Sequence, residues 1–142
     1  MNYSGKKKRH TRKTQIVADE SSRKIICTVF DNGRRHDFRL FKESKVYFKA
    51  TSKCLTYTGY QGFDKIHANS EHPKKRSKRQ PLTKEDKKRN REISSRRIMI
   101  ENIIRDVKIF RILAGKYRNR RKRFALRFNL IAALYNSNID YK

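Results

Sequence analysis

The carboxylates are few enough to be weighed one by one. Phosphoryl transfer by divalent ions needs several oxygen ligands converging on one point, and Asp and Glu supply them. Among the 13 Asp and Glu, Asp19, Asp31, Asp37, Asp64, Glu92, Glu101 and Asp106 are scattered along the chain. Only Asp31, directly after Phe30, follows the apolar end of a candidate strand. Glu101 stands between Arg97 and Arg105 at the i−4 and i+4 spacing of helical ion pairs. On residue type and spacing alone it reads as a salt-bridged surface residue. The four histidines, His10, His36, His67 and His72, show no metal-ligand spacing, and Cys27 and Cys54 have no CxxC partner. Both cysteines fit free thiols in a reducing cytosol.

The bases tell a simpler story. The 142 residues hold 39 Lys and Arg against 13 Asp and Glu, a net charge of +26. Self-repulsion on that scale opposes folding unless a polyanion or counterions neutralise it. The charge is concentrated in residues 6–13, 74–79 and 118–123. Lys and Arg in such blocks displace the counterions condensed on a nucleic acid and so bind it without reading its sequence. Candidate phosphate contacts are Lys6, Lys7, Lys8, Arg9, Arg12, Lys13, Lys74, Lys75, Arg76, Arg120, Arg121 and Arg123. Tyr57, Tyr60 and Phe63 offer base-stacking surfaces, although aromatics around a Gly-rich turn are more often part of a core. No apolar run approaches the length of a membrane span, no basic stretch carries a continuous apolar face, and the N-terminus has no secretory h-region.

These residues must be positioned by a single domain of modest core. His10 to Ala18 and Lys24 to Phe30 read as strands around the polar turn Asp19-Glu20-Ser21-Ser22, an antiparallel hairpin ended by Asp31-Asn32-Gly33. Asp37 to Ser44 reads as a short helix with Asp37 accepting from its first-turn amides. Lys53 to Tyr57 is a short strand before the turn Thr58-Gly59-Tyr60-Gln61-Gly62, and residues 67–81 have the composition of a loop. Thr83 with Asp86 resembles a capping box opening a helix that runs to Leu113 and stops at Ala114-Gly115. A final helix, about Asn119 to Tyr135, sets Phe124, Phe128, Ile131 and Tyr135 on one face. The fold class is α/β or α+β with helices concentrated late.

One series of segments points to a family. Tyr3-Ser4-Gly5-Lys6-Lys7-Lys8-Arg9-His10-Thr11 resembles a YSGKKKRHT segment of bacterial insertion-sequence transposases, of the DDE superfamily endonuclease type related to Harbinger transposases. His36-Asp37-Phe38-Arg39-Leu40-Phe41 is similar to its HD-x-x-LF element, and Gly59-Tyr60-Gln61-Gly62 to its D-S-G-Y-Q-G turn. Leu82-Thr83-Lys84-Glu85, Asn90-Arg91-Glu92-Ile93-Ser94, Arg97-Ile98-Met99-Ile100-Glu101-Asn102, Lys116-Tyr117-Arg118-Asn119-Arg120-Arg121 and Phe128-Asn129-Leu130-Ile131 continue the match in order. The series covers the chain from Tyr3 to about Asn136.

The resemblance implies a ribonuclease-H-like fold, a central sheet carrying two catalytic acids, and a third acid, Glu, on a late helix. Cleavage and strand transfer of DNA would use Mg or Mn. Glu101 stands at the third acid position and is the one residual metal-ligand candidate. The second acid position, two residues before Gly59, holds Tyr57, and the first lies on a strand preceding Met1. The expectation is therefore a partial catalytic domain over residues 1–137, with a basic loop at 68–82 and a tail at 138–142. Its fold would be α/β, an incomplete ribonuclease-H-like fold lacking its first central strand, with two long C-terminal helices. It would bind DNA in the cytoplasm, associated with the nucleoid, be catalytically inactive and bind no metal productively. Its alternatives are the C-terminal half of a split transposase, active with a complementary upstream fragment, and a small basic RNA-binding protein.

Overall fold

The computed structural model describes residues 3–4, 9–77, 80–114 and 123–141, with the backbone alone for 3–4 and 9–10. Its centre is the expected hairpin. Strand β3 (Arg12–Ala18) pairs antiparallel with β4 (Ile25–Asn32), Thr14 opposite Phe30 and Ile16 opposite Thr28. Asp19 closes the turn through its carboxylate, which accepts from the Ser22 amide at 2.7 Å and the Ser21 hydroxyl at 2.5 Å. Those bonds hold the Asp19 carboxyl down to about 2. The strand continues through Asp31-Asn32, two residues past the expected break, because Gly33 donates its N–H to the Thr11 carbonyl at 2.9 Å. A β-carbon on Gly33 would fall 1.8 Å from the Thr11 hydroxyl, so only glycine permits that approach. Upstream, β1 (Tyr3–Ser4) pairs antiparallel with β2 (Arg9–His10), and Thr11 separates β2 from β3.

Alternation along the hairpin gives it two different faces. Thr14, Ile16, Ala18, Thr28 and Phe30 face the two long helices, α2 (Lys84–Lys108) and α4 (Phe124–Asp140). Ile103, Val107, Phe124, Phe128 and Ile131 are buried there with Ile25, and Phe30 meets the rings of Phe124 and Phe128 edge-on. Lys13, Gln15 and Val17 face the other way, toward α1 (Asp37–Glu43) and the short 3-10 turns Thr58–Tyr60 and Phe63–Lys65. A smaller core of Phe41, Cys54 and Phe63, with Phe38, Val46, Phe48 and Tyr60 around it, holds that side. Two further strands, β5 (Cys54–Leu55) and β6 (Ser70–Glu71), pair parallel to each other.

Several expectations change in this packing. The segment 67–81 is not merely a loop: β6 lies within it, and Lys74 is tied to α2 by its amide to the Asn90 side chain at 2.9 Å. Helix α2 begins with the expected capping box, Thr83 and Asp86 exchanging bonds. It ends at Lys108 rather than Leu113; the Ile109 amide turns back to Asp106, and the short α3 (Arg111–Ala114) directs Leu113 onto the larger core. Asp37 does not cap its own helix. The N-cap is His36, without a side-chain bond, and the Asp37 carboxylate instead pairs with Lys13 at 2.9 Å. Helix α4 starts at Phe124 and extends through Asp140, which pairs with Lys24 at 2.6 Å, so residues 138–140 continue the helix. The architecture is mixed α/β with small sheets and long C-terminal helices.

Candidate active site and basic surface

Tyr57 lies just beyond β5, at the N-cap of the 3-10 turn that Gly59 belongs to. Space at the turn is tight, since a β-carbon on Gly59 would come within 3.0 Å of Asp37 Oδ2. The following turn is entered through Gly62 at φ 87°, a left-handed conformation that suits glycine. Glu101 is on the middle of α2, and the fold brings the two positions to one corner through Arg97. The Arg97 guanidinium sits 3.8 Å above the centre of the Tyr57 ring, and its Nη2 is 3.6 Å from the Glu101 carboxylate. A cation on an aromatic face contributes roughly 0.5–2 kcal/mol, more as it is desolvated. Burial pushes the Tyr57 phenol above its ordinary 10 and Glu101 adds to the rise, while Arg97 opposes it.

Arg105, expected as the second cation on Glu101, pairs with Asp106 instead at 3.2 Å. Glu101 itself is 58 % exposed, so its single pair is worth little in water. Asp31, the acid at a strand end, is committed to Arg35 at 3.0 Å. The aromatic trio reads as core rather than stacking platform. Phe63 is 1 % exposed, Tyr60 donates to Gln15 Oε1 at 3.2 Å, and Tyr57 lies under Arg97. Burial, followed by the nearby Asp37, drives the Tyr60 phenol upward.

Among the described residues, no three His, Cys, Asp or Glu side chains come close enough to hold a metal ion. The donor set at the corner is one exposed carboxylate, one protonated phenol and a guanidinium lying between them. A hard divalent cation prefers anionic oxygens and is repelled by a guanidinium. These residues do not fit Mg or Mn.

The described basic residues divide by whether they already have partners. Arg12, Lys75, Arg76 and Arg123 are exposed. Lys13 is held by Asp37 and by the Arg35 carbonyl, and Lys74 pairs with Asp86 at 2.8 Å. Lys6, Lys7, Lys8, Arg120, Arg121 and the Arg9 side chain lie outside the described residues. Sequence reasoning missed the outer face of α2, where Lys84, Lys88, Arg91 and Arg105 are all exposed. The four- and three-residue steps of Lys84, Lys88 and Arg91 are the available signal, diluted because Glu85, Asp86 and Glu92 are interspersed among them.

The family model described as DDE superfamily endonuclease matches residues 1–136. The chain belongs to the DDE superfamily of endonucleases. A relative described as a probable transposase for insertion sequence element IS702, from Microchaete diplosiphon, is 49 % identical over 140 residues. That match takes in 99 % of this chain and 51 % of the relative, so the DDE chain spans about half the length of the transposase it matches. No solved structure matches it. Chemistry in the DDE superfamily depends on metal ions, which makes the composition of this corner informative. No helix of the described residues is long and apolar enough to cross a membrane.

Proposed function

We infer that this DDE chain binds DNA through its basic surface and does not cut DNA by itself. The observation that carries the reading is Tyr57 beneath Arg97 beside Glu101, where family chemistry calls for converging carboxylates. A phenol displaced upward by burial stays protonated at neutral pH, and the guanidinium above it repels a divalent ion. DNA affinity would come from phosphate contacts spread over Arg12, Lys75, Arg76, Arg123 and the outer face of α2, and association with the nucleoid would follow.

The test uses purified protein and supercoiled DNA with Mn²⁺. No nicking is expected from the wild type or from Glu101→Gln; nicking by the wild type that Glu101→Gln abolishes would overturn the inactivity. Binding is followed by fluorescence anisotropy on labelled duplex DNA over a salt series. Affinity should fall steeply and linearly in log–log form. Tighter binding to a structured RNA than to duplex DNA under the same salt would favour an RNA-binding role instead.

A further inference from the structure

Where β4 runs into α1 the sequence is Asn32-Gly33-Arg34-Arg35-His36, polar apart from its glycine. Four of these residues, with Arg39 on the first turn of α1, border an open cavity of about 330 Å³. Its lining is Asn32, Arg34, Arg35, His36 and Arg39, and none of them is apolar. Such a site offers nothing to a hydrophobic ligand. Guanidinium groups converging on one space attract an anion.

The arginines differ in how far they are already engaged. Arg35 gives Nε to Asp31 at 3.0 Å and Nη1 to Glu43. Arg39 gives Nε to the same Glu43 at 2.8 Å, with no further bond from its Nη groups among the described residues. Arg34 is exposed and makes no hydrogen bond or ion pair among those residues. His36 is the N-cap of α1 without a side-chain bond. Three guanidinium charges therefore face two carboxylates, Asp31 and Glu43, and one cation is left unmatched. Arg12, opposite Asn32 in the β3–β4 register, brings a further exposed cation to this end of the ribbon. The acids do not abolish the site, because each holds a guanidinium by one edge and leaves other N–H groups free. A guanidinium carries five donors in a planar fork that suits phosphate oxygens.

We propose that this cavity is a phosphate site, taking one phosphate group from the backbone of bound DNA or free in solution. Arg34 supplies the unmatched charge. Arg39 supplies Nη donors on a guanidinium that Glu43 already holds in place. Asn32 and His36 can each donate a further hydrogen bond at its border.

The cavity lies close to the Tyr57 corner. Asp37, the residue after His36, packs against Gly59, where an added β-carbon would come within 3.0 Å of Asp37 Oδ2, and Gly59 is two residues from Tyr57. A DNA phosphate bound here is thereby placed at the end of the molecule that carries Tyr57, Arg97 and Glu101. For DNA the proposal rests on the binding inferred above; for inorganic phosphate it does not.

The test has two arms. In the first, inorganic phosphate is titrated into the purified chain in chloride buffer of constant ionic strength and followed by its phosphorus NMR linewidth. In the second, labelled duplex DNA is followed by anisotropy over a salt series. Arg34→Ala is the main variant, because it breaks no ion pair among the described residues. Lys49→Ala, at an exposed lysine outside the cavity, controls for the loss of one charge. Phosphate affinity should fall by about tenfold in Arg34→Ala, the scale of losing a charged hydrogen-bond partner, and stay at the wild-type value in Lys49→Ala. Arg39→Lys should also weaken it although the charge is kept, because an ammonium lacks the planar fork. A loss in either arm that Lys49→Ala does not share supports the site. If the DNA salt slope of Arg34→Ala falls by about one, the bound group is a backbone phosphate; a loss confined to the first arm assigns the site to free phosphate. Wild-type behaviour of a folded Arg34→Ala in both arms overturns the proposal. So does an equal loss in Lys49→Ala, which marks diffuse attraction by net charge. Failure of the wild type to bind DNA sinks the DNA reading alone, and the first arm still decides the site.

Discussion

The β3–β4 ribbon has two edges, and they are treated differently. On the β4 side, the Asn136 side chain of α4 accepts from the Ile25 amide at 2.8 Å and donates to the Ile25 carbonyl at 2.9 Å. Thr28 adds a hydroxyl bond to Asn129 at 2.6 Å. A helix has taken the place of a neighbouring strand there, which is one way to close an edge against unwanted pairing. Among the described residues no element does so on the β3 side; the edge opens on a cavity where the buried Gln15 Nε2 has no partner. A finished edge and an open one on the same ribbon leave the hairpin's unpaired backbone groups on its β3 side.

Perturbing the finished side should have the largest effects. Phe128→Ala removes a ring buried between Phe30 and Phe124 and should cost about 3–5 kcal/mol, read by urea denaturation. Asn136→Leu leaves both backbone groups of Ile25 without their partner. A loss of about 1–3 kcal/mol is expected in the same assay, with faster amide exchange at Ile25.

The open side is braced mainly by charge. Arg96 of α2 reaches Glu20 in the hairpin turn at 2.5 Å and Glu71 in β6 at 2.9 Å. Glu20 is held below its ordinary 4.5 chiefly by Arg96, and Glu71 chiefly by Lys53 with Arg96 assisting. A carboxyl whose folded pKa is depressed contributes stability that is present above its unfolded value and is lost as pH falls through the folded one. Stability should therefore decline as pH drops below about 4.5, and Arg96→Met should flatten that decline in thermal melts across pH. Smaller still is the cap of α2: Thr83→Ala should cost about 1 kcal/mol and fray the first turn, visible by circular dichroism. At the surface, replacing Lys75 and Arg76 by Ala should reduce the salt slope of DNA binding by about one for each phosphate no longer neutralised, without altering any melting temperature by much.

The hairpin was legible because alternation and a polar turn are local signals, and the α2 capping box because its two residues are three apart. Helix α4 was legible from the spacing of Phe124, Phe128 and Ile131. The end of α2 was not, because neither Pro nor Gly marks Lys108; the break there serves the docking of Leu113. β6 was hidden in a basic, Pro-bounded stretch, since a two-residue parallel strand leaves no periodicity to detect. Helical spacing assigns Glu101 correctly to Arg97 and wrongly to Arg105, whose choice between Glu101 and Asp106 depends on rotamers. The stacking of Arg97 on Tyr57 joins residues forty positions apart in sequence, an interaction no local pattern encodes.

Family membership, the basic blocks and the placing of Tyr57 two residues before Gly59 are properties of residue order, and the sequence alone determines them. Long-range geometry decided the rest. It brought Tyr57 and Glu101 to one corner with a guanidinium between them, closed the β4 edge with Asn136, and left the β3 edge facing a cavity. Those outcomes depend on how helices pack across a twisted ribbon, where a few ångströms determine which groups meet and which remain without partners.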